Sequence, residues 1–74
     1  MKILLLRQDI ELLKKAGIFH DENKEYSDDE ALDLLEAVRD LEISYSQFER
    51  GHKFDLCVKY GLIADRIHAQ IPEN

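Results

Sequence analysis

From Met1 to Ile71 the chain contains no proline, and the three glycines and Pro72 are its only strong punctuation. Proline and glycine are what break helices most often. Between these marks the apolar residues recur at helical rather than alternating spacing. This pattern restricts a chain of 74 residues to a single all-α domain spanning residues 1–74. It predicts a small bundle of three main helices, at about 3–16, 28–42 and 54–71, with room for a short fourth near 46–51.

The second segment is the most strongly specified. Ser27 and Glu30 form an S-x-x-E capping box, in which each side chain satisfies a backbone N–H of the other. Asp28, Asp29 and Glu30 stand where the helix dipole is positive. Ala31, Leu34, Leu35, Val38 and Leu41 form its apolar stripe. Ile43, Ser44, Tyr45 and Ser46 are mediocre helix formers, so a break or turn is expected between 43 and 52. In the first segment, Ile3, Leu6, Ile10 and Leu13 share one face, Lys14 and Lys15 suit the C-terminal dipole, and Gly17 follows as the stop. Its start is ambiguous, because residues 1–4 also read as extended chain. Ile18 and Phe19 in the connector are expected to enter the core. The third segment places Leu56, Cys57, Tyr60, Ile63, Ala64, Ile67 and Ile71 on one arc.

A domain of this size buries only about 60% of its unfolded surface. Cys57 is the single cysteine, so no disulfide framework supports it. Hydrophobic residues make up 45% of the chain, enough for a core. The apolar run Ile3–Leu6 is shorter than the roughly 7–15 residues of a signal peptide core and the roughly 20 of a membrane span. The expectation is a soluble, cytoplasmic protein without a membrane partner.

Net charge is −6, and its distribution is uneven. Residues 21–42 carry ten acids against Lys24 and Arg39, a sum of −8, whereas residues 1–20 sum to +2 and residues 43–74 to zero. Such acidity disfavours direct nucleic-acid binding, which draws most of its affinity from phosphate contacts. A helix-turn-helix regulator is the alternative reading. Its third helix would offer Lys59, Arg66, His68 and Gln70, offset by Asp55 and Asp65.

Site chemistry has little support. Read as a calcium loop from Asp21, the connector places Tyr26 where glycine is required and Leu32 where a bidentate glutamate is required. His20, His52 and His68 have no metal-ligand spacing. His20 reads as an exposed loop residue. Cys57 and His52 are five residues apart and do not face each other on a helix. A metal-dependent enzyme or sensor is therefore the weakest class; no catalytic, metal or cofactor residues are assigned and no cofactor is expected.

Two features point to an interaction or regulatory module. Leu5, Leu12, Val58 and Leu62 are surplus apolar residues that a three-helix domain has little with which to cover, and they point to a homodimer. Asp29, Asp33, Glu36 and Asp40 form an acidic face suited to a basic partner. The stretches "KEYSDDEALDLLEAVRD" (24–40) and "YGLIADRIHAQI" (60–71) resemble small uncharacterised helical proteins of Gram-positive bacteria, some carried on phages and mobile elements. That resemblance implies a helical fold and a bacterial origin, and no activity.

Overall fold

The computed structural model describes residues 1–47 and 51–72. Three helices follow in order: α1 (Arg7–Lys15), α2 (Asp28–Tyr45) and α3 (His52–Gln70). Among the described residues there is no strand, so the all-α three-helix bundle stands. Half of the fourth helix expected near 46–51, residues 48–50, lies outside the described residues; Ser46 and Gln47 form a turn.

The capping box of α2 forms as its sequence dictates. Glu30 N–H donates to Ser27 Oγ at 3.1 Å, and Ser27 N–H donates to Glu30 Oε1 at 3.1 Å. The helix runs three residues beyond 42 and ends where Ser46 Oγ–H donates to the Ile43 carbonyl at 2.6 Å. That local bond competes with continuation of the helix.

α1 is shorter than its periodicity suggests. Residues 3–6 are not helical, and Leu6 is extended at φ −71°, ψ 152°. The reason is long-range pairing of both edges of this segment. Toward the connector, the Met1 amino group donates to Tyr26 O at 2.7 Å and Tyr26 N–H to Met1 O at 2.6 Å. On the same edge, His20 Nε2–H donates to Ile3 O at 2.6 Å. On the other edge the Gln70 amide imitates a neighbouring strand. It accepts from Leu4 N–H at 2.7 Å and donates to Leu4 O at 2.8 Å. Exposure alternates accordingly: Ile3 is fully buried and Leu5 packs on the core, while Leu4 and Leu6 face outward. The period here is two, not 3.6.

α1 ends in a Schellman arrangement. Ile18 N–H reaches back to Leu13 O and Gly17 N–H to Lys14 O, with Gly17 at φ +84°, a conformation open to glycine at little cost. This turn directs Ile18 onto the core and leaves Phe19 outside, 76% exposed. The expectation that Phe19 is buried is thus corrected.

α2 and α3 are the closely packed pair. They run antiparallel, since Glu42 meets Cys57 and Gly61 while Arg39 meets Asp65. A Cβ at Gly61 would lie 2.5 Å from Glu42 Oε2, so the missing side chain is what lets the Glu42 chain lie against α3. The core consists of Ile3, Leu13, Tyr26, Ala31, Leu34, Val38, Tyr60, Ile63, Ala64 and Ile67. The stripes read from sequence on α2 and α3 supply seven of these ten.

Candidate interaction surface

With its Tyr60–Ile67 side committed to the core, α3 presents the opposite side to solvent. Phe54, Val58 and Leu62 lie at successive four-residue steps, 41%, 47% and 50% exposed. At about 100° per residue these positions drift by only about 80° in total, so they form one line along the helix. Val58 and Leu62 were legible from sequence as surplus apolar residues. Phe54 was not; the signal was its four-residue spacing from Val58 on the arc opposite the core stripe.

Between α1 and α3 this line opens into a groove of about 280 Å³. Leu12 and Leu62 form its apolar part, with Lys15, Lys59, Gln8 and Glu11 around them. Arg66 and Asp9, paired at 2.9 Å, also line it. The structure therefore brings together Leu12 and Leu62 from different helices. Leu5 is elsewhere: it packs against the core from the extended segment and does not line the groove.

Charges beside the line are of two kinds. Asp65 is drawn to Arg39 of α2 at 2.9 Å, and Arg66 is drawn to Asp9 of α1 at 2.9 Å. Both are held away from the apolar line by neighbouring helices. Asp55 and Lys59 take part in no ion pair among the described residues, and both are exposed.

The acidic face lies on α2. Asp29, Asp33, Glu36 and Asp40 are all exposed, and none joins an ion pair among the described residues. Spacings of four and three residues place them within about 60° of arc. Like charges at these spacings destabilise a helix by a few tenths of a kcal/mol per pair. Leu32 and Ile43, 43% and 66% exposed, flank them.

Glu30 is the one acid at the start of α2 with strong local partners. Its carboxyl is lowered from 4.5 to about 2, first by hydrogen bonding to Lys24 at 2.6 Å and then by the Ser27 N–H. The same contact raises Lys24. Asp21 forms a turn: its Oδ1 accepts from Asn23 N–H at 2.9 Å and its carbonyl from Lys24 N–H at 3.2 Å.

The remaining chemistry-bearing side chains are engaged structurally. His20 is not the exposed loop residue expected. It is half-buried between Ile3 O and the Tyr26 ring, which it stacks at 5.8 Å and 5°. Because a carbonyl can only accept, its Nε2 carries the proton; Nδ1 is buried without a partner. Tyr26 also holds Lys24 over its ring at 4.9 Å. The Cys57 thiol donates to the Glu42 carbonyl at 3.4 Å. Burial raises the Tyr60 phenol above its ordinary range, and its hydroxyl donates to Leu12 O at 3.4 Å. Among the described residues no cluster of His, Cys, Asp or Glu could hold a metal ion. No helix among them is long and apolar enough to cross a membrane.

Comparison with protein-family models, with curated proteins and with solved structures finds no match.

Proposed function

We propose that this protein is a non-catalytic interaction module whose working surface is the outer face of α3 with the adjoining α1–α3 groove. The observation that carries this reading is the line Phe54–Val58–Leu62. Three large apolar side chains stand half-exposed on one helix of a domain whose core has few members to spare. Contiguous apolar surface rimmed by polar groups is characteristic of sites that another surface covers. Lys15 and Lys59 at the groove and Asp55 beside the line supply such a rim. The acidic face of α2 acts separately, as a long-range field that repels acidic surfaces and slows unwanted encounters.

The test is photocrosslinking in the cell of origin, with a photoreactive residue placed at Val58 in one variant and at Asp33 in another. The reading expects protein adducts from position 58. Adducts from position 33 alone would transfer the function to the acidic face.

A further inference from the structure

Resting on that reading of α3 as a docking face, we propose that the partner is a second copy of the same chain. The two α3 helices pack antiparallel about a two-fold axis at Val58. Three observations lead there.

The first is the shape of the apolar line. With the axis at Val58, each Phe54 meets Leu62 of the other copy and the two Val58 side chains meet each other. The smallest side chain of the three falls at the centre, where two helices approach most closely, and the large ones fill the flanks. An isologous contact needs such self-complementarity.

The second is charge. At about 100° per residue Asp55 and Lys59 lie on the same flank of the line; Lys59 lines the α1 groove, and both are exposed without an ion-pair partner among the described residues. In an antiparallel two-fold pair, a given flank faces the same flank of the other copy. Asp55 then comes within about 3 Å, measured along the helix axis, of Lys59 of the other copy, at 1.5 Å per residue. Two reciprocal ion pairs form. The other charges near the line, Asp65 and Arg66, are already held by Arg39 and Asp9.

The third is exclusion by field. Residues 21–42 sum to −8, from ten acids and two bases, so two copies meeting through α2 repel. Between Phe54 and Gln70, α3 carries Lys59 and Arg66 against Asp55 and Asp65, a sum of zero. Two copies meeting through this helix escape the repulsion that opposes a meeting through α2.

Three apolar residues per copy make a contact below the roughly 800 Å² per partner of a standard stable interface. The dimer is therefore weak and concentration-dependent.

The test is sedimentation equilibrium of the full chain from micromolar to millimolar concentration, with helix content followed by circular dichroism. The expected result is a mass rising from one chain toward two. Val58→Asp weakens association at least tenfold with helix content unchanged, since position 58 is already half in water. Asp55→Lys also weakens it, and the double exchange Asp55→Lys with Lys59→Asp restores it. In a Cys57→Ser background, Val58→Cys forms a disulfide-linked dimer on mild oxidation, and Leu32→Cys does not. A one-chain mass at every concentration overturns the proposal, as does a dimer indifferent to Val58→Asp or one the double exchange fails to restore. If the chain stays single while a photoreactive residue at Val58 still captures a different protein, the two-fold fails and the docking face stands. If neither association nor capture occurs, both fail.

Discussion

Arg66 Nη1 on α3 lies 2.9 Å from each carboxylate oxygen of Asp9 on α1. Asp9 is only 3% exposed, and its Oδ2 also accepts from Leu6 N–H at 3.1 Å. One carboxylate thus starts α1 and ties that helix to α3. Leu6 has no side chain able to cap, so the Asp9 half of a capping box does the work alone.

Removing that carboxylate leaves the Leu6 N–H and the Arg66 guanidinium short of an acceptor. Breaking a fully buried pair costs about 3–5 kcal/mol. Arg66 keeps 36% of its side-chain surface in water, so we expect Asp9→Ala to cost roughly 2 kcal/mol, less than the fully buried case. Urea unfolding monitored by circular dichroism measures this. A loss below a few tenths of a kcal/mol would mean that water replaces Asp9 freely.

The N-cap of α2 offers a second measurement. Ser27→Ala should cost about 1 kcal/mol, a fall in Tm of about 4–8 °C in a domain this small. An unchanged Tm would show that α2 is held by packing alone.

Acid should act through the neighbouring Glu30. Its carboxyl lies at about 2 when folded, against an ordinary 4.5, with Lys24 the leading cause. A lowered pKa contributes stability that is fully present above the ordinary value and is lost as pH falls from about 4.5 toward about 2. Lys24, raised above 10.5, contributes below that value and loses its contribution as pH rises past it. Both groups are open to solvent, which limits the effect. Comparing melting curves of wild type and Glu30→Gln, we expect the difference to shrink in acid; a constant difference down to the lowest pH would sink the assignment.

Gly61 separates helix propensity from packing. Alanine in a helix interior is favoured over glycine by about 1 kcal/mol. Here its Cβ would meet Glu42 Oε2 at 2.5 Å and Cδ at 3.2 Å, and Arg39 holds that carboxylate at 3.0 Å. Gly61→Ala alone should therefore change stability by less than about 1 kcal/mol, the gain offset by displaced Glu42. In a Glu42→Ala background the same substitution should stabilise by about 1 kcal/mol. Equal effects in both backgrounds would mean that Glu42 moves aside without cost.

Gln70 tests the extended N-terminal segment. Gln70→Ala removes both hydrogen bonds to Leu4, each worth about 1 kcal/mol net at most in so exposed a place. The Leu4 amide should exchange faster with solvent, while the amides in the middle of α2 keep their protection. Uniform acceleration across the chain would point to global destabilisation instead.

The contrast between α2 and the first six residues explains how much was legible in the sequence. Everything α2 needs is local: Ser27 and Glu30 cap each other, and Ala31, Leu34 and Val38 recur with the helix period. Ile3 and Leu6 carried the same period by coincidence. Their backbone groups are claimed by Tyr26, His20 and Gln70, up to 66 residues away, and no local pattern encodes such partners. The interaction surface divides similarly. Val58 and Leu62 were recognisable as surplus, whereas Phe54 joined them only once the core-facing arc of α3 was known. His20 read as loop and proved to be a partner of Ile3.

By itself, then, the sequence determined the three main helices, the cap of α2, the core stripes of α2 and α3 and the concentration of negative charge in residues 21–42, because each rests on spacing or composition within a few turns. Only the tertiary structure decided that residues 1–6 are extended, that Asp9 joins α1 to α3, and that Arg39 and Asp9 draw aside Asp65 and Arg66 from the Phe54–Val58–Leu62 line. Those outcomes depend on which distant groups meet, and long-range hydrogen bonds and ion pairs form only after the helices have packed.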